Sequence, residues 1–379
     1  MTIQLFRPLV HQQAIENVTR VLRSSWTGLG PETELFEKEF ASYIGAKYAV
    51  ALNSATEALR ISVIIACMLD DVKPGSFVAT TPNTFVSTNH VLLQNQLQPI
   101  FVDIDLNTGS IKIQNVIEAI DKYKCGLIML VHYAGLPADM DKWDRLSKES
   151  GIPIIHDLAH ACGAKYKGLK LGSWGKYNCF SFHSVKNLSI GDGGMITTDD
   201  HKVMEIARKL RWLGIDKSTN DRSKTLYSWE YDVDMLGYKS HMNDIMAAIG
   251  RGQLLYLDED NNKRRDLVKR YRKNLYGLPI SLLSDSCDGT ESANHLFIVR
   301  LPDKEEKINM MSVLRANGIN YGFHYKSNTA YRVYGQCAIL NDIPNMRTWE
   351  ETALSLPLHL GLSDSDIDSI CDVIIKEIE

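Results

Sequence analysis

Residues 153–187 read PIIHDLAHACGAKYKGLKLGSWGKYNCFSFHSVKN, and the fold follows from how this stretch is punctuated. Two short runs, 153–157 (PIIHD) and 178–182 (NCFSF), are apolar through their middles and give way to polar clusters. The first cluster is His156-Asp157-Leu158-Ala159-His160; the second is Ser181-Phe182-His183-Ser184-Val185-Lys186-Asn187. Short continuous apolar runs are strands of a sheet covered on both faces. Further runs of this kind lie at 48–52 (YAVAL), 76–80 (SFVAT), 99–103 (PIFVD), 126–132 (GLIMLVH) and 194–198 (GMITT). Helical segments such as 54–66 and 139–150 separate the first five, and that alternation builds a mostly parallel sheet with right-handed crossovers. A glycine-bearing loop joins 178–182 to 194–198 instead, so the expected sheet is mixed, with seven strands.

After about residue 250 the rhythm changes. A long polar helix (251–275) leads into NHLFIVRL, a helix at 304–317, then INYGFHY and a closing helix at 364–378. The expected division is a large domain over 1–250 and a smaller α+β domain over 251–379. Residues 1–30 carry an amphipathic helix ending before Gly28 and Gly30, expected to pack with the smaller domain.

Bulk properties narrow the function classes. A net charge of −4, with no Lys/Arg block, argues against a nucleic-acid-binding surface. The run Lys263-Arg264-Arg265 is flanked by Asp and Asn and reads as the wet face of a helix. No apolar stretch approaches the roughly 18 residues of a membrane span, and the N-terminus lacks a secretory core. The seven cysteines are scattered without a C-x-x-C pair, so neither a disulfide framework nor a zinc knuckle is expected. Four lie in apolar surroundings, as small core residues do. A cytoplasmic, reduced protein is the expectation.

In an open α/β sheet, ligands bind beyond the carboxyl ends of the strands. Four polar features fall there: Asn53-Ser54-Ala55-Thr56, Thr84-Phe85, the cluster around Asp157, and the cluster ending in Lys186. Small residues opening a helix expose free N–H groups at its positive end and can seat a phosphate; alternatively Ser54 or Thr56 is a helix cap. Asp157, at the end of a buried strand, needs a cationic partner. A protonated pyridinium would serve, as in pyridoxal-phosphate (PLP) enzymes; a metal or a structural ion pair are the alternatives. Strand alternation sends His156 and Asp157 to opposite faces, which speaks against a metal. Lys186, desolvated in its loop, suits Schiff-base chemistry and proton transfer. P-loop, Rossmann, G-x-S-x-G and H-E-x-x-H motifs are absent from the sequence. Gly191-Asp192-Gly193-Gly194 reads as a tight turn giving the backbone room under the cofactor.

The ordered motifs resemble the DegT/DnrJ/EryC1/StrS family of nucleotide-sugar aminotransferases. They are Gly28-Leu29-Gly30-Pro31, NSATEAL (53–59), TPNTFVST (81–88), PIFVDID (99–105), VHYAGLPADMD (131–141), IHDLAHACGAKYKG (155–168), FSFHSVKNLSIGDGGMITT (180–198), AAIGRGQL (247–254), FHY (323–325) and ETALSLPLHLGLSDSDID (351–368). The resemblance implies a fold-type-I PLP aminotransferase. It assigns Lys186 as the Schiff-base lysine, Asp157 to the pyridine nitrogen, and His160 near the ring's phenolic oxygen. Phe85 would stack on the ring face, and Ala55, Thr56 and Ser181 would hold the phosphate. His183 is a candidate substrate or proton-relay contact. In this family a G-Y-N-x-R-M segment reaches the neighbouring subunit's site. Here it reads Gly237-Tyr238-Lys239-Ser240-His241-Met242, so Lys239 either replaces the asparagine at the phosphate or the contact is lost. A homodimer is implied, with glutamate as donor and a nucleotide-linked keto-sugar as acceptor. The spacing from Lys186 to Gly194 is that of the family's 4-keto enzymes, pointing to a 4-keto-6-deoxyhexose. The same chemistry on a 3-keto sugar, or a PLP-binding regulator without turnover, are the alternatives.

Overall fold

The computed structural model describes residues 2–216, 231–284 and 289–378. The apolar runs form β1 (Tyr48–Leu52), β2 (Phe77–Thr80), β3 (Gln98–Phe101), β4 (Leu127–Val131), β5 (Ile154–Asp157), β6 (Tyr177–Ser181) and β7 (Gly194–Thr198). They assemble in the order β1-β7-β6-β5-β4-β2-β3. β7 runs antiparallel to both β1 and β6, and the remaining pairs are parallel. Reversal of one strand between β1 and β6 leaves those two pointing the same way. The carboxyl ends of β1, β2, β4, β5 and β6 therefore share one edge of the sheet.

The seven-stranded expectation needs one correction. An eighth strand, Ala338–Ile339, adds in parallel to the free edge of β3. Two residues carry no readable periodicity, and this strand comes from the chain's C-terminal third, which closes that sheet edge.

Strand alternation splits the core into layers. Ala49 and Ala51 of β1 face Phe36, Phe40 and Ile44 of helix α1 (Pro31–Ile44). Val50 and Leu52 face the opposite side, against Ala58, Leu59 and Ile61 of helix α2 (Ala55–Leu69). Both faces of the sheet are thus covered, which is why its strands read as unbroken apolar runs.

Beyond residue 280, a three-stranded antiparallel sheet forms from Ser281–Leu282, Phe297–Arg300 and Ala353–Leu356. Helices Leu257–Asn274, Lys304–Ala316 and Asp364–Ile378 cover it through Leu267, Tyr271, Met310, Leu314, Ile370 and Ile374. The long helix expected at 251–275 is two helices, Asp244–Leu254 and Leu257–Asn274, interrupted at Leu255–Tyr256. The N-terminal arm touches both parts. Ile3 and Leu5 hydrogen-bond to Gly318, Asn320 and Leu358, while helix Gln12–Ser24 lies on Asp244–Leu254.

Two further sequence readings meet their outcome here. Arg264 is not on a wet face: it is 5% exposed, donates to the carbonyl of Leu358, and burial lowers its pKa to about 10. Cys125, Cys162, Cys179 and Cys371 are buried free thiols; Cys287 lies outside the described residues.

Candidate active site

A cavity of about 410 Å³ opens at the shared carboxyl edge of the sheet. Ala55, Thr56, Phe85, Asp157, His160, Ser181, His183 and Lys186 all line it. Residues far apart in sequence are brought together because β5 and β6 are adjacent parallel strands, Asp157 lying beside Cys179.

Lys186 sits in the long β6–β7 connection, whose closure is set by backbone bonds. Phe182 N–H donates to Gly193 and Ile190 N–H donates to Phe182. The adjoining Asn187 side chain donates to the carbonyl of Ala293 and to Asn261 Oδ1, each at 2.7 Å, tying the loop to the C-terminal part. Burial lowers the Lys186 ammonium to about pKa 8, and the charge of Asp157 partly opposes that shift.

Asp157 is 3% exposed. Its Oδ2 accepts from Thr88 Oγ1 at 2.8 Å and its Oδ1 from the Ala159 N–H at 3.0 Å. Burial still pushes its carboxyl above the ordinary range, against those two donors and the Lys186 charge. Such a carboxylate, supported by neutral donors and facing a cavity, is suited to a cationic partner there. His156 points to the opposite sheet face and lines a separate cavity, as strand alternation requires. Among the described residues, no cluster of His, Cys, Asp and Glu could hold a metal.

At the first turn of α2, Ser54 is the N-cap, its Oγ accepting from Glu57 N–H at 3.2 Å. The capping role leaves room for an anion seat, because Ala55 and Thr56 of the same turn line the cavity. Gly194 lies against this turn so closely that a Cβ there would come within 2.4 Å of the Ser54 carbonyl oxygen and 2.6 Å of Ala55 N. Gly191 takes the left-handed backbone (φ +96°) that turns the chain ahead of it.

His160 has a defined tautomer. Its Nδ1 accepts from Ala134 N–H at 3.2 Å, so Nε2 carries the proton and donates to Tyr325 Oη at 3.0 Å. Burial first, then the charge of Lys186, keeps this imidazole neutral. Phe85 is 60% exposed at the cavity mouth, its ring 6.4 Å from that of Tyr325. An exposed aromatic at a cavity mouth is a shelf for a flat ligand. The shelf is braced from below: Asn328 Nδ2 donates to the Thr84 carbonyl, and Asn89 Nδ2 to the Thr81 carbonyl and Asn328 Oδ1.

His183 is exposed at the mouth, its N–H donating to Ser181 Oγ. Lys239 is not in this cavity. It is exposed, with its ammonium 4.2 Å from the centroid of the Trp212 ring. Its segment is anchored to β1 and α2: Asn53 N–H donates to Ser240 O, Ser240 Oγ to Glu57, and the Arg60 guanidinium stacks 3.6 Å over Tyr238. His241 is partly buried, packed 4.4 Å edge-on to Trp212, and burial lowers it to about pKa 4.

Thr88, His324 and Tyr325 are among the cavity residues that received no role from the sequence. All stand inside quoted motifs, TPNTFVST and FHY, but nothing in their spacing connects them to Asp157 or His160. His324 is held by Ser355 Oγ at 2.7 Å and Tyr325 N–H by Asn83 Oδ1 at 3.0 Å.

The donor set fits PLP: an anion-accepting helix start, a partnered buried carboxylate, a neutral imidazole, an aromatic shelf and a lysine of lowered pKa. The sequence profile of the DegT/DnrJ/EryC1/StrS aminotransferase family matches residues 8–375. The Bacillus subtilis spore coat polysaccharide biosynthesis protein SpsC is 32% identical over 97% of this chain and 95% of its own. A Streptococcus pneumoniae protein described as a sugar aminotransferase, in its PMP form, superposes with a TM-score of 0.91 at 30% identity, covering 99% of this chain and 98% of that one. Helicobacter pylori PseC, an aminotransferase involved in pseudoaminic acid biosynthesis, superposes with a TM-score of 0.91 at 25% identity, over 100% and 99% of the two chains. The chain belongs to the DegT/DnrJ/EryC1/StrS aminotransferase family, and with that membership go the PLP dependence and sugar-aminotransferase chemistry expected from its motifs.

Proposed function

We propose that this protein transfers the amino group of glutamate to C4 of a nucleotide-linked 4-keto-6-deoxyhexose, with Lys186 and Asp157 as the residues that carry the chemistry. The observation that carries the reading is their convergence in one cavity. PLP bound there supplies the carbonyl that receives the amino group and the ring that withdraws electrons. Asp157 keeps the ring nitrogen protonated, Ala55, Thr56 and Ser181 hold the phosphate, and Phe85 covers a ring face. His160, neutral and hydrogen-bonded through Nε2 to Tyr325, lies near the ring's oxygen substituent. With its pKa near 8, Lys186 has about a quarter of its amines neutral at pH 7.5, against about one in a thousand at the ordinary value. It can therefore take a proton from the amino-bearing carbon and return it to the sugar carbon. His183 at the mouth contacts the sugar or relays protons.

The C4 position is supported by the interval from Lys186 to Gly194, on family resemblance. A surface-polysaccharide destination is supported by the name of the SpsC relative. A homodimer is supported by the exposure of Val233 (51%) and Leu236 (94%) beside Lys239, since a second copy would cover these apolar side chains. In that dimer Lys239 serves the phosphate of the partner's site. No helix among the described residues is long and apolar enough to cross a membrane.

The test offers the pyridoxamine form a panel of 4-keto and 3-keto sugar nucleotides and identifies products by mass spectrometry and NMR. Amination of the 3-keto compounds alone would refute the C4 assignment. Absence of any glutamate half-reaction would refute the donor.

A further inference from the structure

We propose that Thr84 and Thr88 form a one-way hydroxyl chain that fixes the carboxylate of Asp157, making Thr88 a positioning residue for the ring nitrogen of the cofactor. The inference rests on the assignment of Asp157 above and extends it to residues with no assigned role.

The direction of the chain follows from hydrogen counting. Asp157 Oδ2 and Thr88 Oγ1 are 2.8 Å apart, and Thr88 Oγ1 and Thr84 Oγ1 are 2.9 Å apart. A carboxylate only accepts, so the single hydroxyl hydrogen of Thr88 goes to Asp157. The hydrogen in the second link therefore belongs to Thr84. All three side chains are buried, at 3% exposure for Asp157, 1% for Thr88 and 4% for Thr84. Water reaches the carboxylate only from the cavity that these residues line, and a cofactor filling that cavity would leave little room for a water to replace a missing donor.

The other carboxylate oxygen is held by the Ala159 backbone. Among the described residues, Thr88 is therefore the side-chain donor to this carboxylate that substitution can remove. Thr88 lies in the first turn of the helix Ser87–Gln94, and its own N–H donates to the carbonyl of Phe85. One short segment thus sets both the ring shelf and the carboxylate. Thr84 is locked in turn through its carbonyl by Asn328.

Burial favours the protonated form of Asp157 and the Thr88 donor opposes this. Without that donor, the carboxyl acquires a proton of its own at higher pH. A neutral acid no longer stabilises the protonated ring nitrogen, so cofactor affinity and turnover fall together as pH falls.

The experiment compares Thr88→Ser, Thr88→Cys and Thr88→Val with the parent protein and with Asp157→Asn. PLP affinity is measured by absorbance titration of the apoprotein from pH 8 to 6, beside kcat and melting temperature. Ser keeps the donor, Cys weakens it and Val removes it in nearly the same volume. The expected order of affinity at pH 6 is Thr and Ser, then Cys, then Val, with Val about tenfold weaker relative to its own value at pH 8. The pH midpoint for PLP binding and kcat should move up by about one unit in Val and by less in Cys. The Ser–Cys comparison stands even where Val is too unstable to measure. Equal affinity and pH dependence for Ser, Cys and Val, with Asp157→Asn impaired, would overturn the hydroxyl chain alone. An unimpaired Asp157→Asn would overturn the assignment beneath it as well.

Discussion

Replacing Asp157 by Asn removes a charge while leaving the shape, and the surroundings decide how clean that perturbation is. The Ala159 N–H can only donate, so the amide oxygen must take the Oδ1 position and the amide nitrogen must face Thr88. Thr88's hydroxyl is a rotor and can turn to accept from that nitrogen, donating instead toward Thr84. Both ends of the amide thus keep a partner, and the fold should survive with a melting temperature within a few degrees. What is lost is the attraction between a buried carboxylate and the protonated ring nitrogen. Two unit charges about 4 Å apart at an effective dielectric of about 20 attract by about 4 kcal/mol. The amide dipole retains part of that, so a loss of about 3 kcal/mol, or about 10²-fold in rate, is expected. Single-turnover absorbance changes with glutamate would measure the first half-reaction directly, free of product release. A loss below about threefold in a folded, PLP-loaded protein would place Asp157 outside the chemistry.

Lys186→Ala should abolish transamination and leave the fold intact, with PLP retained noncovalently; near-parental turnover in the purified variant would overturn its role. Stability should fall as pH drops below about 6.5. His156, 3% exposed, is lowered by burial to about pKa 4 from 6.5. Above 6.5 neither folded nor unfolded chain protonates this imidazole, whereas below it the unfolded chain gains a proton the native state refuses. The penalty from His156 alone is about 2 kcal/mol at pH 5 and approaches about 3 kcal/mol near pH 4. Urea unfolding at pH 7, 6 and 5 measures the slope, and an unchanged midpoint would refute it. Lys239→Ala should weaken PLP retention, and mixing it with Lys186→Ala should restore some activity, because one site of a mixed dimer then carries both parental residues. Lack of complementation in demonstrated mixed dimers would remove Lys239 from the partner's site.

The cavity was legible wherever a lining residue sits at the end of its own strand. Asp157 closes β5, Ser181 closes β6 and Ala55 opens the helix after β1, so a run of apolar residues points to each of them. Lys186 was legible because its loop follows β6 directly. Tyr325 and His324 belong to no strand of the large sheet. They reach His160 and the cavity only through the packing of the C-terminal part, which pattern in a linear sequence does not encode. Arg264 was misread for a related reason. Its neighbours Asn262 and Arg265 are more accessible, but the helix turns its own guanidinium inward to the Leu358 carbonyl. The interruption at Leu255–Tyr256 has no Pro or Gly to announce it. Stacking by Phe85 came from resemblance, although its 60% exposure gives it physical sense.

Desolvation at the sheet edge acts on Lys186 and Asp157 in opposite directions. Burial lowers the lysine and raises the carboxyl, so the same surroundings disfavour the charged form of both groups. Each contributes a charge that would support the other, and in both cases burial is the larger effect. A neutral amine and a carboxylate seeking a cation are the two conditions that an electrophilic carbonyl on a protonated pyridine ring satisfies at once. Under the proposed assignment, the tension in the protein would match the ligand's own polarity, with its carbonyl on the Lys186 side and its ring nitrogen on the Asp157 side. Binding that relieves both strains must also stabilise the fold, in proportion to RT ln(1 + [PLP]/Kd). On the proposed assignment the cofactor would link catalysis to stability through the same two side chains, with the Thr88 donor setting how far the carboxylate half of that linkage reaches into acid.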